Sequence, residues 1–548
     1  MATDRILGRR RAAGPGPRRR RAPLAALAAA VPLAGCMTAG PDFHPPEPTP
    51  PATWAALEAA GAPSAAAPAS MPAASAPVAS RAVLRAYDGR TWWAVFQDPV
   101  LDGLVDEALR QNLDLQAAAL RIEEARAQLG AARAQGLPAV SGSGLAGRQR
   151  SSTNGLLSSL AGGGQGGASG GSGGGSGAGA GAGGGAGGQA AAPAPSPYSD
   201  LYDVGFDATW ELDLWGKARR GVEAARAGVE SAQQARGDAM ISLTAEVART
   251  YLALRGYQRE RAIALAQVED ERRLARLVGE RSRHGFAAEA DAVTQQAQLS
   301  AAIAQLPPID ARVDQAANRL ALLLALPPGA LAQRLGEAPA AEPPLPPEVP
   351  VGLPGDLLRR RPDVARSEAD LHAATAKLGQ AKAQLFPSIT LGAFGGLQAT
   401  HAGDLLDWAS RFWVGGAQVS IPIFEGGKLK AQIRTADAQM REAALQYRGT
   451  VLSAYHDAND AITAYAQEQR HAAALARQLA DARRSRDLMR ERWQSGLVSL
   501  IEVLDAQRQL HQAELQALQS RVAASTDLVA LYKALGGDWD PAAHSARR

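Results

Sequence analysis

Cys36 is the only cysteine among 548 residues, and it follows Leu33-Ala34-Gly35. Small residues ahead of a lone cysteine are what a lipoprotein-type signal peptidase accepts. The thiol then carries a thioether to diacylglycerol, and each buried CH₂ of such a chain adds about 0.8 kcal/mol of membrane affinity. A second group with chemical potential is the pair Glu502 and Asp505, three apart and so on one helix face. Carboxylates held close repel one another and favour bound cations. Asp203, Asp207, Glu211 and Asp213 form a third acidic set, alternating with apolar residues. Catalysis is not expected: the chain has no H-E-x-x-H, no phosphate-binding loop and no credible nucleophile triad. One cysteine permits neither an internal disulfide nor a Cys-based zinc site. No metal site and no cofactor are expected. The G-x-S-x-G match at Gly167 to Gly171 lies in a glycine run and reflects composition alone.

The net charge of +4 is misleading. Residues 1–35 hold eight arginines against Asp4, a net of +7, so the remaining chain carries −3. The arginines head an uncharged stretch, Ala22 to Ala34, of signal-peptide length. A nucleic-acid partner is therefore not expected. With Met37 rather than Asp after the cysteine, the segment resembles bacterial lipoproteins sorted to the outer membrane. No apolar run reaches the roughly 20 residues of a membrane helix, so any crossing must use strands.

The elements that would position these groups are written twice. Residues 198–306 and 423–540 contain no proline, which permits very long helices. The two tracts superpose at an offset of 211: Gly216-Lys217 on Gly427-Lys428, Gly285 on Gly496, Val293 on Leu504, Leu320 on Leu531. Asp291 then falls on Glu502. Upstream, Leu137-Pro138 matches Phe386-Pro387 at an offset of 249, the difference falling on a Gly/Ser/Ala stretch at about 151–195. Heptads run through Met240, Leu243, Val247 and Leu254, then Leu445, Leu452, Tyr455 and Ile462, and after the second break Val503, Leu510, Ala517, Ala524 and Leu531. Alanine-rich seams suit close packing of many helices, although periodicity alone also fits an ordinary antiparallel coiled coil.

Strands precede the long helices. Tyr202, Val204, Phe206, Ala208, Trp210 and Leu212 predict one apolar face, and Asp203, Asp207, Glu211 and Asp213 the other. The second copy repeats this at Trp413, Ala417, Val419, Ile421 and Ile423. Earlier partners are expected at Pro138 to Leu145 and Pro387 to Leu397, the latter with Ile389, Leu391 and Ala393 outward. About ten residues suffice for a tilted barrel strand, and Tyr202, Trp210, Phe412 and Trp413 suit interfacial girdles. A half-buried sheet of a soluble domain is the alternative. If the strands span, four of them cannot close a barrel, and open edges are forbidden in lipid. Three copies supply 12 strands.

This predicts a mainly α protein with membrane β: an internally duplicated protomer of two two-stranded hairpins plus very long helices. The organisation expected is a signal peptide at 1–35, a lipidated Pro/Ala-rich leash at 36–90 and a first repeat at 91–330. A proline-rich linker at 331–362, a second repeat at 363–540 and a disordered tail at 541–548 complete it. Residues 162–188, with 18 glycines in 27 positions, read as an outer loop.

Several motifs carry a family resemblance. After Cys36 comes Gly40-Pro41-Asp42-Phe43; then Trp92-Trp93, Phe96, Asp98-Pro99 and Leu101; then Gly352-Leu353-Pro354 with Asp356-Leu357-Leu358-Arg359-Arg360-Arg361-Pro362-Asp363; then Gly496-Leu497-Val498-Ser499 with Val503-Leu504-Asp505-Ala506-Gln507. Together they resemble the TolC-like outer-membrane efflux factors, in the lipoprotein branch typified by OprM and NodT. The resemblance covers roughly residues 33–540; the glycine-rich insertion departs from it. It implies a homotrimer with a 12-strand β-barrel on a periplasmic α-barrel, anchored by lipid at Cys36. It also implies a periplasmic adaptor and an inner-membrane pump, of RND type, as partners. Gly285, Phe286, Gly496, Leu497, Val498 and Ser499 would be adaptor-docking tips. Glu502, Asp505 and Asp291 would form an acidic constriction at the periplasmic entrance, and Asp203, Asp207, Glu211 and Asp213 would line the lumen. The expected role is a passive duct for small hydrophobic or antimicrobial compounds. Export of metal ions or secreted polypeptides, and a non-pore coiled-coil scaffold, are the competing roles.

Overall fold

In the computed structural model the described residues are 38–46, 50–57, 80–85, 91–150, 198–336 and 345–537. Cys36, the signal segment, the glycine-rich insertion and the tail lie outside them. The strands are β1 (Arg81–Val83), β2 (Ala139–Arg150), β3 (Tyr198–Leu212), β4 (Glu348–Pro350), β5 (Ser388–Ala399) and β6 (Arg411–Ser420). The first half carries helices α1 (Pro99–Gln111), α2 (Leu113–Ala134), α3 (Lys217–Arg283), α4 (Glu289–Ala304), α5 (Leu306–Leu323) and α6 (Ala332–Leu335). The second half carries α7 (Pro354–Arg360), α8 (Pro362–Ala383), α9 (Lys428–Gln494) and α10 (Leu500–Ala534).

The duplication holds element by element. Helix α2 and strand β2 map onto α8 and β5 at an offset of 249 at both ends, and α3 maps onto α9 at 211. Each of α3 and α9 has 67 residues, about 100 Å at 1.5 Å per residue. The copies differ where proline intervenes. Pro307 and Pro308 open α5 and divide from α4 a helix that in the second copy runs 35 residues unbroken as α10.

The chain forms two compact units, and they cut across the repeats. Each unit therefore takes residues from both repeats. One unit is built on the antiparallel sheet β2-β3-β5-β6, which takes two strands from each copy. Strands β2 and β5 run further than Pro138 to Leu145 and Pro387 to Leu397. At the β3–β5 crossing Gly396 faces Gly205; a Cβ on Gly396 would lie 2.4 Å from the Val204 carbonyl oxygen, so this close approach needs glycine.

The other unit is helical. Its core gathers Trp92, Trp93, Phe96, Leu101, Leu104, Tyr251, Tyr465 and Leu528. The buried stripe of α3 is Met240, Leu243, Val247, Tyr251 and Leu254, and that of α9 is Val451, Ala454, Ala458, Ile462 and Tyr465, again 211 apart. Leu445 and Leu452, expected in the seam, are instead exposed. Towards the chain reversals, Val268 packs with Leu299 and Ala302, and their counterparts Leu479, Leu510 and Ala513 do the same.

Described residues of two expected linkers pack into this body. In the leash, Trp54 is buried and donates its indole N–H to the Gly352 carbonyl at 2.9 Å, and the Ala56 amide donates to Asn459 at 2.9 Å. In the inter-repeat segment β4 pairs in parallel with β1, and Val349, Val351 and Leu357 are core residues. The family motifs are clamps. Asp98 accepts from the Val100 amide at 2.9 Å and from the Tyr251 hydroxyl at 2.5 Å. Arg361 donates to Asp363 (2.6 Å), Asp457 (3.1 Å) and the Ala534 carbonyl (3.2 Å), joining α8, α9 and α10. Burial works against its charge, but those carboxylates hold its pKa above the ordinary arginine value. Arg361→Ala should cost about 3 kcal/mol by stranding these partners. A thermal melt in detergent checks this; an unchanged midpoint would refute the clamp.

Candidate functional site

The long helices end in the same turn. Gly285 and Gly496 have φ of 76° and 70°, a region glycine enters without a Cβ clash. In the first copy the Phe286 amide donates to the Arg281 carbonyl at 2.8 Å and the Gly285 amide to Ser282 at 3.0 Å. In the second, Leu497 donates to Arg492 at 2.9 Å and Gly496 to Trp493 at 2.9 Å. These paired bonds are the Schellman end of a helix. They place Phe286 and Leu497 outward, 82% and 71% exposed. Val498 is half-buried and Ser499 exposed. Between the tips lies a cleft of about 400 Å³ lined by Phe286, Asp291, Gln295, Ser499, Ile501 and Arg508, among others. Beneath it Gln295 donates to buried Glu271, and Gln507 donates to Asp270 at 2.8 Å, tying α10 to α3.

The three acids expected at the entrance are each on the first turns after these tips. Glu502 turns back to its own helix end, accepting from the Ser499 amide at 3.4 Å and hydroxyl at 3.2 Å. That capping box is the Ser-x-x-Glu pattern of the sequence. Asp505 accepts from Arg508 at 2.7 Å, so the pair carries less net charge than two free carboxylates. Asp291 stands in the first turn of α4, on the cleft.

In the sheet, register defines two faces. Phe206 pairs with Gly142 and Gly395, and Gly395 with Trp413; Trp210 pairs with Leu391, and Leu391 with Ala417. Directly opposed residues share a side, so these, with Tyr202 and Val204, make one apolar face. Asp203, Asp207 and Glu211 share the other. There Ser141 donates to Asp207 at 2.7 Å, Gln398 to Asp203 at 3.1 Å and Lys217 to Glu211 at 3.0 Å. Phe412 departs from expectation. It opposes Gly396, which opposes Gly205, and so lies on the acidic face, its ring 5.1 Å from that of Phe394. Asp213 lies beyond β3 and caps α3, accepting from the amides of Ala218 (3.1 Å) and Arg219 (2.9 Å).

The residues just after Cys36 form a strap. The Ala39 amide donates to the Trp215 carbonyl at 2.9 Å. Asp42 bonds Arg220 at 2.6 Å, Arg220 bonds Glu223 at 2.7 Å, and Glu223 meets His372 at 3.0 Å; Phe43 stacks on the His372 ring at 4.3 Å. Burial raises the Glu223 carboxyl, but bonds from Arg220 and His372 outweigh it and hold it below the ordinary glutamate range.

Paired helical hairpins with exposed glycine-broken tips, and a four-stranded sheet apolar on one face, define a TolC-like outer-membrane channel subunit. A family model described as outer membrane efflux protein matches residues 104–326 and 353–537. The chain is similar to the pyoverdine export outer membrane protein OpmQ of Pseudomonas aeruginosa, at 31% identity over 454 residues, 83% of this chain and 88% of that one. Nodulation protein T of Rhizobium leguminosarum bv. trifolii is 28% identical over 431 residues, covering 76% and 81%. The solved outer-membrane channel OprN aligns at a TM-score of 0.75 and 30% identity, covering 92% of this chain and 99% of that one. The chain belongs to the outer membrane efflux protein family and is an outer-membrane component of efflux machinery.

A carboxyl with a depressed pKa stabilises fully above its ordinary value of 4.5 and stops doing so as pH falls through the lowered one. Amide exchange at residues 39–44 should therefore accelerate as pH drops below that window, after correction for intrinsic rates. Glu223→Gln should remove the transition; a profile identical to wild type would count against the strap.

Proposed function

We propose that three copies of the chain close a 12-strand β-barrel over a periplasmic α-barrel, forming a passive duct. The carrying observation is the sheet itself. It is apolar on one face, and β2 and β6 are its outer strands. In lipid those edges must pair, and identical neighbours can supply the pairing. Lipid at Cys36, followed by the strap at Asp42 and Phe43, would anchor the protein to the outer membrane. A periplasmic adaptor would dock on the tips at Gly285, Phe286 and Gly496 to Ser499, and deliver compounds from an RND-type inner-membrane pump. OpmQ, a pyoverdine export protein, supports export of small compounds over metal ions or polypeptides. Native mass spectrometry should find three chains, and planar bilayers should show ion conductance; a monomer with no conductance would end this reading.

The exposed apolar tips support adaptor docking. Gly496→Asp with Leu497→Asp should reduce efflux to the level of a deletion strain while the trimer persists. Retained efflux would remove the tips from the docking surface.

Glu502, Asp505 and Asp291 would ring the entrance. Three copies bring six carboxylates from the second repeat, each Asp505 offset by Arg508. Glu502→Ala with Asp505→Ala should lose block by multivalent cations in single-channel recordings; unchanged block would place the constriction elsewhere. Asp203, Asp207 and Glu211, on the face away from lipid, would make the lumen cation-preferring, with Asp213 serving the helix end.

A further inference from the structure

We propose that the strand ends remote from the helix junctions form a binding rim for the phosphates of the outer leaflet's phosphorylated glycolipid, through Arg148, Arg150 and Arg411. This rests on the barrel reading above. Arg148 opposes Asp200, Arg150 opposes Tyr198, and Arg411 opposes Leu397, itself opposite Val204. All three arginines thus continue the face that carries Tyr202, Val204, Phe206 and Trp210. They stand at one end of it. The Arg148 and Arg150 guanidinium carbons lie 5.5 and 5.6 Å from the centre of the Tyr198 ring, and that of Arg411 lies 3.5 Å over the ring of Trp408, which is 78% exposed.

An arginine facing hydrocarbon is costly at the bilayer centre and nearly free at its border. Three of them at one end, beside exposed aromatic rings, mark where the hydrocarbon stops. The opposite end of the sheet differs. There Lys217 pairs with Glu211 at 3.0 Å and Arg219 with Asp213 at 3.3 Å, while Lys428 and Lys430 are exposed. At the arginine end the strands offer this face a single acid, Asp200, 3.4 Å from Arg148. In the adjoining turn Asp404 and Asp407 are the acids, and Asp404 faces His401 at 3.8 Å. Stacked on Trp408, Arg411 keeps its edge N–H groups for an anion; Arg148, whose Nε faces Asp200, keeps its terminal ones, and the fork matches phosphate oxygens two at a time. The glycolipid of the outer leaflet supplies such phosphates where the strands leave the bilayer on the side away from the periplasmic helices.

Closure would complete the site. Within one chain Arg411 lies three strands from β2 and level with Gly144, so Arg148 and Arg150 stand a further four and six residues along. Pairing β6 with the next chain's β2 would make the arginine-bearing strands neighbours, about 4.8 Å apart, so each subunit junction would carry all three arginines on one pair of adjacent strands.

The test uses the full-length acylated protein in detergent with bis-phosphorylated lipid A as probe, read by native mass spectrometry. Arg148→Gln with Arg150→Gln and Arg411→Gln should weaken binding about tenfold. Wild type should bind dephosphorylated lipid A as weakly as the variant binds the phosphorylated form. Equal binding by wild type and variant, indifference to the phosphates, or full competition by equimolar phosphatidylglycerol would overturn the proposal. If the triple variant fails to assemble, the three single variants carry the test, and undiminished binding in all of them has the same meaning. Trimer mass and conductance come from the same samples, so a failed barrel is distinguished from a failed rim.

Discussion

The edges of a four-stranded sheet govern this protein. Strands β2 and β6 bound the sheet in the order β2-β3-β5-β6, and each turns one side of its backbone away from its own chain. In water those amides and carbonyls would be solvated; in hydrocarbon each unpaired group costs several kcal/mol. The apolar face makes water the wrong solvent and the edges make isolated insertion impossible. Association is then a condition of reaching the membrane state. The alternation of Asp203, Asp207 and Glu211 with Val204, Phe206 and Trp210 has the same logic, since a closed wall has a wet side and a lipid side.

Duplication gives two near-copies whose differences are local. Proline at 307 and 308 divides α4 from α5, whereas α10 is continuous. At the tips the Schellman bonds are equivalent, but only the second copy has a Ser499–Glu502 capping box; the first begins α4 after Ala288 with no side-chain cap. Loss of such a cap is worth roughly 1 kcal/mol at a helix start. The two helix starts beside the cleft therefore differ in intrinsic stability, while Gln507 and Asp270 tie one hairpin to the other.

Much of this was legible in the residues. The absence of proline, the offsets of 211 and 249 and the period-two alternation around Phe206 report backbone geometry directly, and the elements match them to the residue at several ends. The misreadings have a shared physical source. Leu445 and Leu452 continue the heptad by hydrophobicity, yet they are exposed in the single chain while alanines at 454 and 458 are buried. Helices that pack closely select small residues, so size outweighed hydrophobicity. Phe412 was grouped with the membrane aromatics by type, but a one-residue step along a strand reverses the face. The leash and the linker were read as spacers from their proline content. Proline limits helix and sheet; it does not prevent burial of a neighbouring Trp54 or Val349.

Charge at the hairpin tips follows from backbone needs as much as from side-chain identity. A helix start leaves amides without partners, and Glu502 meets that need at Ser499. Its carboxylate is held near the axis end of α10, where the helix dipole favours negative charge. Asp505, one turn on, has Arg508 beside it. Two carboxylates three residues apart are thus unequal: one is fixed by its own helix, the other is exchangeable between an arginine and any cation that arrives. Spacing alone made them equivalent. Their bonding separates an acid held by its own helix end from one whose partner is a neighbouring arginine.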